Sequence, residues 1–256
     1  MKILIVTHKD KTYFDSSIFR PIQVNSALNN FKIDENYYFD NTGDSISEKN
    51  SNFCELTALY WMWKNLKNEN ILGLNHYRRY FNFLNNFIIK PHRIVNLKSD
   101  NILITQHNLE TEKITNKINK WLEKYDVILP YKQNITVNKN FISITDGYYQ
   151  IHLKNDWDCL ISVILEKFPD YESSIDKYFN KSNEIYIGNI FVAKANWFNN
   201  YAEWLFSILF EVEKKIIPSD DFYQKRVYGF MAERLLTLYV QHNNYKIKKL
   251  QILYIT

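Results

Sequence analysis

Glycine, proline and cysteine are all scarce in this sequence, at five, five and two residues of 256. No Gly-x-Gly-x-x-Gly occurs among the glycines, which argues against a dinucleotide cofactor at a βα turn and, more broadly, against an organic cofactor. Cys54 and Cys159 lie in apolar helical surroundings without metal-ligand spacing, and read as buried thiols in a reducing compartment. No run of about 18 uncharged apolar residues exists, so no segment reads as a membrane span. Met1-Lys2 leads directly into a strand-like run without a leader pattern, and the expected location is the cytoplasm. A basic stripe is also missing. The 32 Lys and Arg are spread among 28 Asp and Glu for a net charge of +4, which does not suit a dedicated nucleic-acid binder. Internal repeats, low-complexity tracts and interdomain linkers are absent.

What is present is a large apolar and aromatic fraction, 46% and 16%, enough to build a sizeable core. One domain over residues 1–256 is expected. The densest signal is Ile71-Leu72-Gly73-Leu74-Asn75-His76-Tyr77-Arg78-Arg79-Tyr80-Phe81. Its apolar part lacks alternation and reads as a buried strand. His76, Arg78 and Arg79 then fall at the carboxyl end, the edge where open α/β sheets bind ligands. Two adjacent guanidiniums there suit a phosphate or diphosphate.

Along the chain, Ile3-Leu4-Ile5-Val6 reads as a central parallel strand followed by Thr7 and His8 at the same edge. Phe19 to Leu28 is expected as a helix opened by Pro21, and Tyr37-Tyr38-Phe39 as a second strand. Asp40 to Asp44 is first a turn; the alternative is that Asp40 or Asp44 bonds a ribose hydroxyl or a base edge. Asn52 to Leu66 is patterned as one helix, in which Glu55 either completes a capping box with Asn52 or faces the ligand edge beside Arg78 and Arg79. The resulting β-α-β-α-β order implies a parallel sheet. Lys132 to Ile151 reads as an active-site loop or lid. His152, Asp156, Trp157 and Asp158 lead into a helix, and capping accounts for one of the two acids only. Tyr186 to Val192 is a further strand carrying Asn189. Amphipathic helices follow at 196–215 and 222–241, the second with Glu233 and Arg234, which serve a ligand or are half-buried surface charges.

Several of these stretches together resemble a known family. They are Ile-Val-Thr-His-Lys at 5–9, Asp-Asn-Thr-Gly-Asp at 40–44, Gly-Leu-Asn-His-Tyr-Arg-Arg-Tyr-Phe at 73–81, Asp-Trp-Asp at 156–158, Gly-Asn-Ile-Phe-Val at 188–192 and Ala-Glu-Arg-Leu-Leu at 232–236. The family is that of bacterial capsular and exopolysaccharide biosynthesis proteins, long catalogued as a domain of unknown function, with galactofuranosyltransferases among its members. The resemblance implies a GT-A-like, Rossmann-like α/β domain with a mostly parallel central sheet flanked by helices. It also implies hexosyl or galactofuranosyl transfer from a nucleoside diphosphate donor, UDP being expected, to a capsular or other surface polysaccharide. The donor and its diphosphate are then expected at Thr7, His8, Asp40, Asp44, Glu55, His76, Arg78, Arg79, Asn189 and Arg234.

For the chemistry, Asp156 is the expected general base, with Glu233 second and His152 beside them; Tyr148 and Trp157 are expected at the acceptor. The Asp-x-Asp that usually holds a metal in this fold is absent at the strand end. Either Mg²⁺ or Mn²⁺ is held by His76 with Asp156 or Asp158, or the arginines neutralise the diphosphate directly. The acceptor would be an oligosaccharide or lipid-linked glycan, with room for peripheral contact with the inner membrane. Two competing functions use the same features: a nucleic-acid-binding or other non-catalytic interaction protein, and a sugar-nucleotide hydrolase.

Overall fold

Ile3 to Val6 and Ile71 to Leu74 lack alternation because both faces of the sheet they form are covered. Leu4, Val6, Leu72 and Leu74 point into one core layer, and Ile3, Ile5 and Ile71 into the other. The computed structural model describes residues 1–9, 14–29, 32–84, 95–97, 101–137 and 140–255.

In chain order the strands are β1 (Lys2–Thr7), β2 (Phe19–Gln23), β3 (Tyr38–Phe39), β4 (Ile71–His76), β5 (Arg79–Phe81), β6 (Val95–Leu97), β7 (Val127–Pro130), β8 (Gln133–Asn134), β9 (Thr136–Val137), β10 (Asn140–Phe141), β11 (Glu184–Ile185), β12 (Phe191–Lys194), β13 (Ile247–Leu250) and β14 (Ile252–Ile255). The helices are α1 (Asn50–Phe53), α2 (Leu56–Asn65), α3 (Asn101–Leu109), α4 (Thr111–Leu122), α5 (Ile144–Ile151), α6 (Lys154–Lys167), α7 (Glu172–Ile175), α8 (Ala195–Glu213) and α9 (Val227–His242). The main sheet runs β13-β7-β12-β4-β1-β2-β3, with β5, β6 and β14 continuing from β4. Neighbours in this row are parallel except β12, which is antiparallel to both β4 and β7. Helices α2, α6, α8 and α9 supply one core layer; α4 and the β5–β14 pair supply the other. No helix among the described residues is long and apolar enough to cross a membrane.

The chain runs outward from β1 through β2 to β3, then crosses back to place β4 on the other side of β1. The carboxyl ends of β1 and β4 therefore flank the point where the strand order reverses, and the ligand crevice of an open α/β sheet opens there. Gly73 lets β12 approach β4: a Cβ at this position would meet Val192 Cγ2 at 2.8 Å and the Phe191 carbonyl at 2.9 Å.

Several sequence expectations change. Phe19 to Gln23 is strand β2, not a helix; Pro21 is tolerated because the short β3 covers only Ile22 and Gln23. No α-helix separates β1 from β2 or β2 from β3 among the described residues, so the β-α-β-α-β alternation is not realised. The helix expected over 52–66 is broken at Cys54, whose φ of +53° ends α1 before α2 begins. The strand expected from Tyr186 starts only at Phe191, because Gly188 (φ +82°) and Asn189 (φ +50°) turn the backbone first. The stretch 132–151 is not an open loop: it carries β8 to β10 and the whole of α5, which Ser143 caps by accepting a bond from the Asp146 N–H.

Candidate active site

A cleft of about 540 Å³ opens at the reversal point, within the range of small-molecule sites. His8 comes from the end of β1, Asn25 from the end of β2, and His76, Tyr77, Arg78 and Arg79 from the turn between β4 and β5. Asn50, Cys54 and Glu55 line it from the α1–α2 break, and Phe222, Lys225 and Arg226 from the turn before α9.

The cations are held by ring faces. The Arg78 guanidinium lies 4.8 Å from the Tyr77 ring centre and 5.6 Å from that of Tyr254; Arg79 lies 5.8 Å from Tyr254. Arg226 lies 5.3 Å from the Phe230 ring and donates from Nε to Cys54 Sγ at 3.4 Å. Among the described residues none of these three, nor Lys225, has a carboxylate within ion-pair distance. His76 is neutral: burial, then Arg79 and Arg226, push its pKa down to about 3. Its Nε2 is buried without a partner. His8 packs edge-on against Tyr77 at 5.0 Å, and burial with Lys9, Arg78 and Arg226 lowers its pKa as well.

Two carboxyl groups adjoin the cations. Glu55 Oε1 accepts from Asn189 Nδ2 at 2.7 Å, and Glu233 Oε1 accepts from the Gly188 N–H at 2.7 Å. Burial raises the pKa of both, with Arg79 pulling each the other way; Glu233 is also raised by the charge of Glu55. Arg234 pairs with Glu233 at 3.3 Å and donates to the Phe230 carbonyl at 2.9 Å. The Glu55–Asn189 bond, the Gly188–Glu233 bond and the Glu233–Arg234 pair thus form one chain behind the arginines. Glu55 makes no side-chain cap bond, and Asn52 donates instead to the Lys225 carbonyl at 2.8 Å, so the capping box is not formed.

Of the expected site residues, His8, Glu55, His76, Arg78 and Arg79 line the cleft, with Asn189, Glu233 and Arg234 directly behind. The others do not line it. Thr7 is buried and bonds the Lys9 backbone. Asp40 is fully buried and accepts four hydrogen bonds, from the backbones of Asn25 and Ser26 and the hydroxyls of Ser47 and Thr57. It fixes the turn that carries Asn25 and touches no ligand space. Asp44 is exposed and takes a bond from Tyr60. Trp157 and Tyr148 are core residues, 4.7 Å apart, with Phe179 beyond, so neither offers a face to an acceptor. His152 stacks on Phe230 at 4.1 Å and bonds Gln224, forming a wall behind the turn. Asp156 is buried in the first turn of α6, its pKa raised by burial, and Asp158 accepts from Tyr149 on the surface.

That separation removes the expected metal ligands. His76 lines the cleft while Asp156 and Asp158 do not, and no three His, Cys, Asp or Glu side chains group together among the described residues. The expected pairs, His76 with Asp156 or with Asp158, are therefore not brought together at the cleft. Sequence reasoning missed Lys225 and Arg226 as cleft residues. Their signal was available: adjacent cations at the start of a helix oppose its dipole and call for another role.

No curated protein sequence matches the chain significantly. Among solved structures, the fold superposes on the apo structure of the WbbM bifunctional glycosyltransferase with a TM-score of 0.87 and 31% identity. That match covers all of this chain and 45% of the WbbM chain, so this chain spans less than half of that protein's length. Residues 2–244 match the family described as a domain of unknown function (DUF4422), and the chain belongs to that family.

Proposed function

We propose that the protein is a glycosyltransferase that moves a sugar from a nucleoside diphosphate donor, with UDP the expected nucleotide, to a surface-polysaccharide acceptor. The observation that carries this reading is the set of three guanidiniums, Arg78, Arg79 and Arg226, facing one cleft at the sheet's reversal point with no carboxylate partner among the described residues. Like charges held together repel, and a diphosphate relieves that repulsion while it departs as the leaving group. The likeness to a solved glycosyltransferase supports the same reading. A nucleic-acid binder would present its cations along an open surface and not in a recess of this size.

In this reading the turn after β2, held by Asp40, receives the nucleoside beside Asn25. His76 lines the same cleft as a neutral side chain beside the arginines. Glu55 is the carboxylate that lines the cleft, and it takes the acceptor hydroxyl proton while Asn189 orients it. Glu55 therefore replaces Asp156 as the first choice of base. The test is a pair of variants assayed for transfer with fold checked by circular dichroism. Glu55→Gln should lose about a hundredfold or more in kcat, and Asp156→Asn should keep most of it; the reverse ranking would overturn the assignment. Donor turnover measured with and without acceptor separates a transferase from a sugar-nucleotide hydrolase.

A further inference from the structure

We infer that this cleft binds its diphosphate without a divalent metal, and that the site is completed across the cleft by Arg226, with Lys225, from the turn before α9. The inference rests on the nucleotide-sugar reading above and adds the identity of the counter-charge. Its first support is where the cations come from. Arg78 and Arg79 belong to the β4–β5 turn, whereas Lys225 and Arg226 belong to a segment almost 150 residues later (226 − 79 = 147), yet all four line one cleft. Donors from two separate segments can approach a diphosphate from different directions.

The second support is how each cation is kept available. Arg78, Arg79 and Arg226 rest on ring faces, and Lys225 lies 5.0 Å from the Phe222 ring centre. Ring faces orient a cation but leave its N–H donors free for an anion. The sulfur that accepts from Arg226 Nε is a weak acceptor, and among the described residues the two terminal nitrogens of the guanidinium make no hydrogen bond or ion pair. The third support is the anionic side. The two nearby carboxyls, Glu55 and Glu233, are engaged by Asn189 and by the Gly188 N–H, and Glu233 also by Arg234. No third oxygen ligand from Asp or Glu joins them among the described residues.

The experiment uses the full chain and two probes, UDP and inorganic pyrophosphate, each titrated calorimetrically in EDTA and again with Mg²⁺. Binding in EDTA at least as tight as with Mg²⁺ is expected. Arg226→Gln, checked for fold by circular dichroism, should weaken both probes about tenfold or more in EDTA, the loss of a charge-assisted hydrogen bond. Lys225→Gln should weaken them less. Binding seen only with Mg²⁺, or an Arg226→Gln affinity equal to wild type in EDTA, overturns the inference and leaves the nucleotide-sugar reading standing. Failure of both probes to bind under either condition overturns that reading and the inference with it.

Discussion

Arg226 donates from Nε to Cys54 Sγ across 3.4 Å and so ties the turn before α9 to the break between α1 and α2. The thiol on the receiving end is not a thiolate. Burial and the charge of Glu55 push its pKa up to about 11, against an ordinary value of 9.0. Arg226 thus gains a fixed position without losing its charge to an ion pair.

Cys54 should accordingly be sluggish toward alkylation. A shift from 9.0 to about 11 is two pH units and lowers the thiolate fraction at neutral pH roughly a hundredfold. Iodoacetamide labelling followed by mass spectrometry of the peptide checks this. Labelling at the rate of an unstructured cysteine peptide would contradict the geometry.

Asp40→Asn should destabilise the fold. The carboxylate takes four hydrogen bonds in a site closed to water, and an amide replaces one accepting oxygen with a donor. The cost is about 2–3 kcal/mol, which for a chain of this size lowers Tm by roughly 5–10 °C. Differential scanning calorimetry measures it, and UDP affinity should fall along with it because Asn25 loses its anchor.

Gly73→Ala should cost about 1–3 kcal/mol through overpacking alone, since the added methyl has the Val192 side chain at 2.8 Å and the Phe191 carbonyl at 2.9 Å. Urea unfolding of this variant should show a lowered midpoint with an unchanged slope. A neutral result would mean that β12 can move away from β4 freely.

Stability should fall on both sides of a mildly acidic optimum. Glu55 and Glu233 hold their protons above the ordinary glutamate value of 4.5, first because they are buried. Their contribution is therefore complete below 4.5 and is lost as the pH rises through the elevated folded values. His76 and His152 act in the opposite sense, lowered by burial from 6.5 to about 3 and about 4. The unfolded chain takes up those protons first, so stability is lost as the pH falls from 6.5 toward the folded values. Glu55→Gln should make stability fall less steeply, or rise more steeply, with pH above 4.5 than in the wild type in urea unfolding series; an unchanged slope would mean that Glu55 titrates normally.

The strand ends were readable because runs buried on both faces cannot alternate, and Ile3–Val6 and Ile71–Leu74 announce themselves. Arg78 and Arg79 were readable because they directly follow such a run. Asp40 and Asp156 were not, because an acid that holds a turn or opens a helix has the same sequence environment as one that faces a ligand. Trp157 failed for a related reason: only packing against Tyr148 and Phe179 distinguishes a core indole from a sugar platform. Arg226 enters the site through a tertiary contact far along the chain; its place beside Lys225 at a helix start signals a role, but not which part of the fold it faces.

Tyr254 on β14 lies against both Arg78 and Arg79, and β14 itself is zipped antiparallel to β5 immediately after those arginines. The sheet is thus closed by a late segment that doubles as a splint for the anion-gripping hand. A protein clipped ahead of β14 would keep the layer packed under α2, α8 and α9, yet Arg79 would lose its ring face and Arg78 one of its two. The anion-gripping pair is fully braced only once β14 is in place.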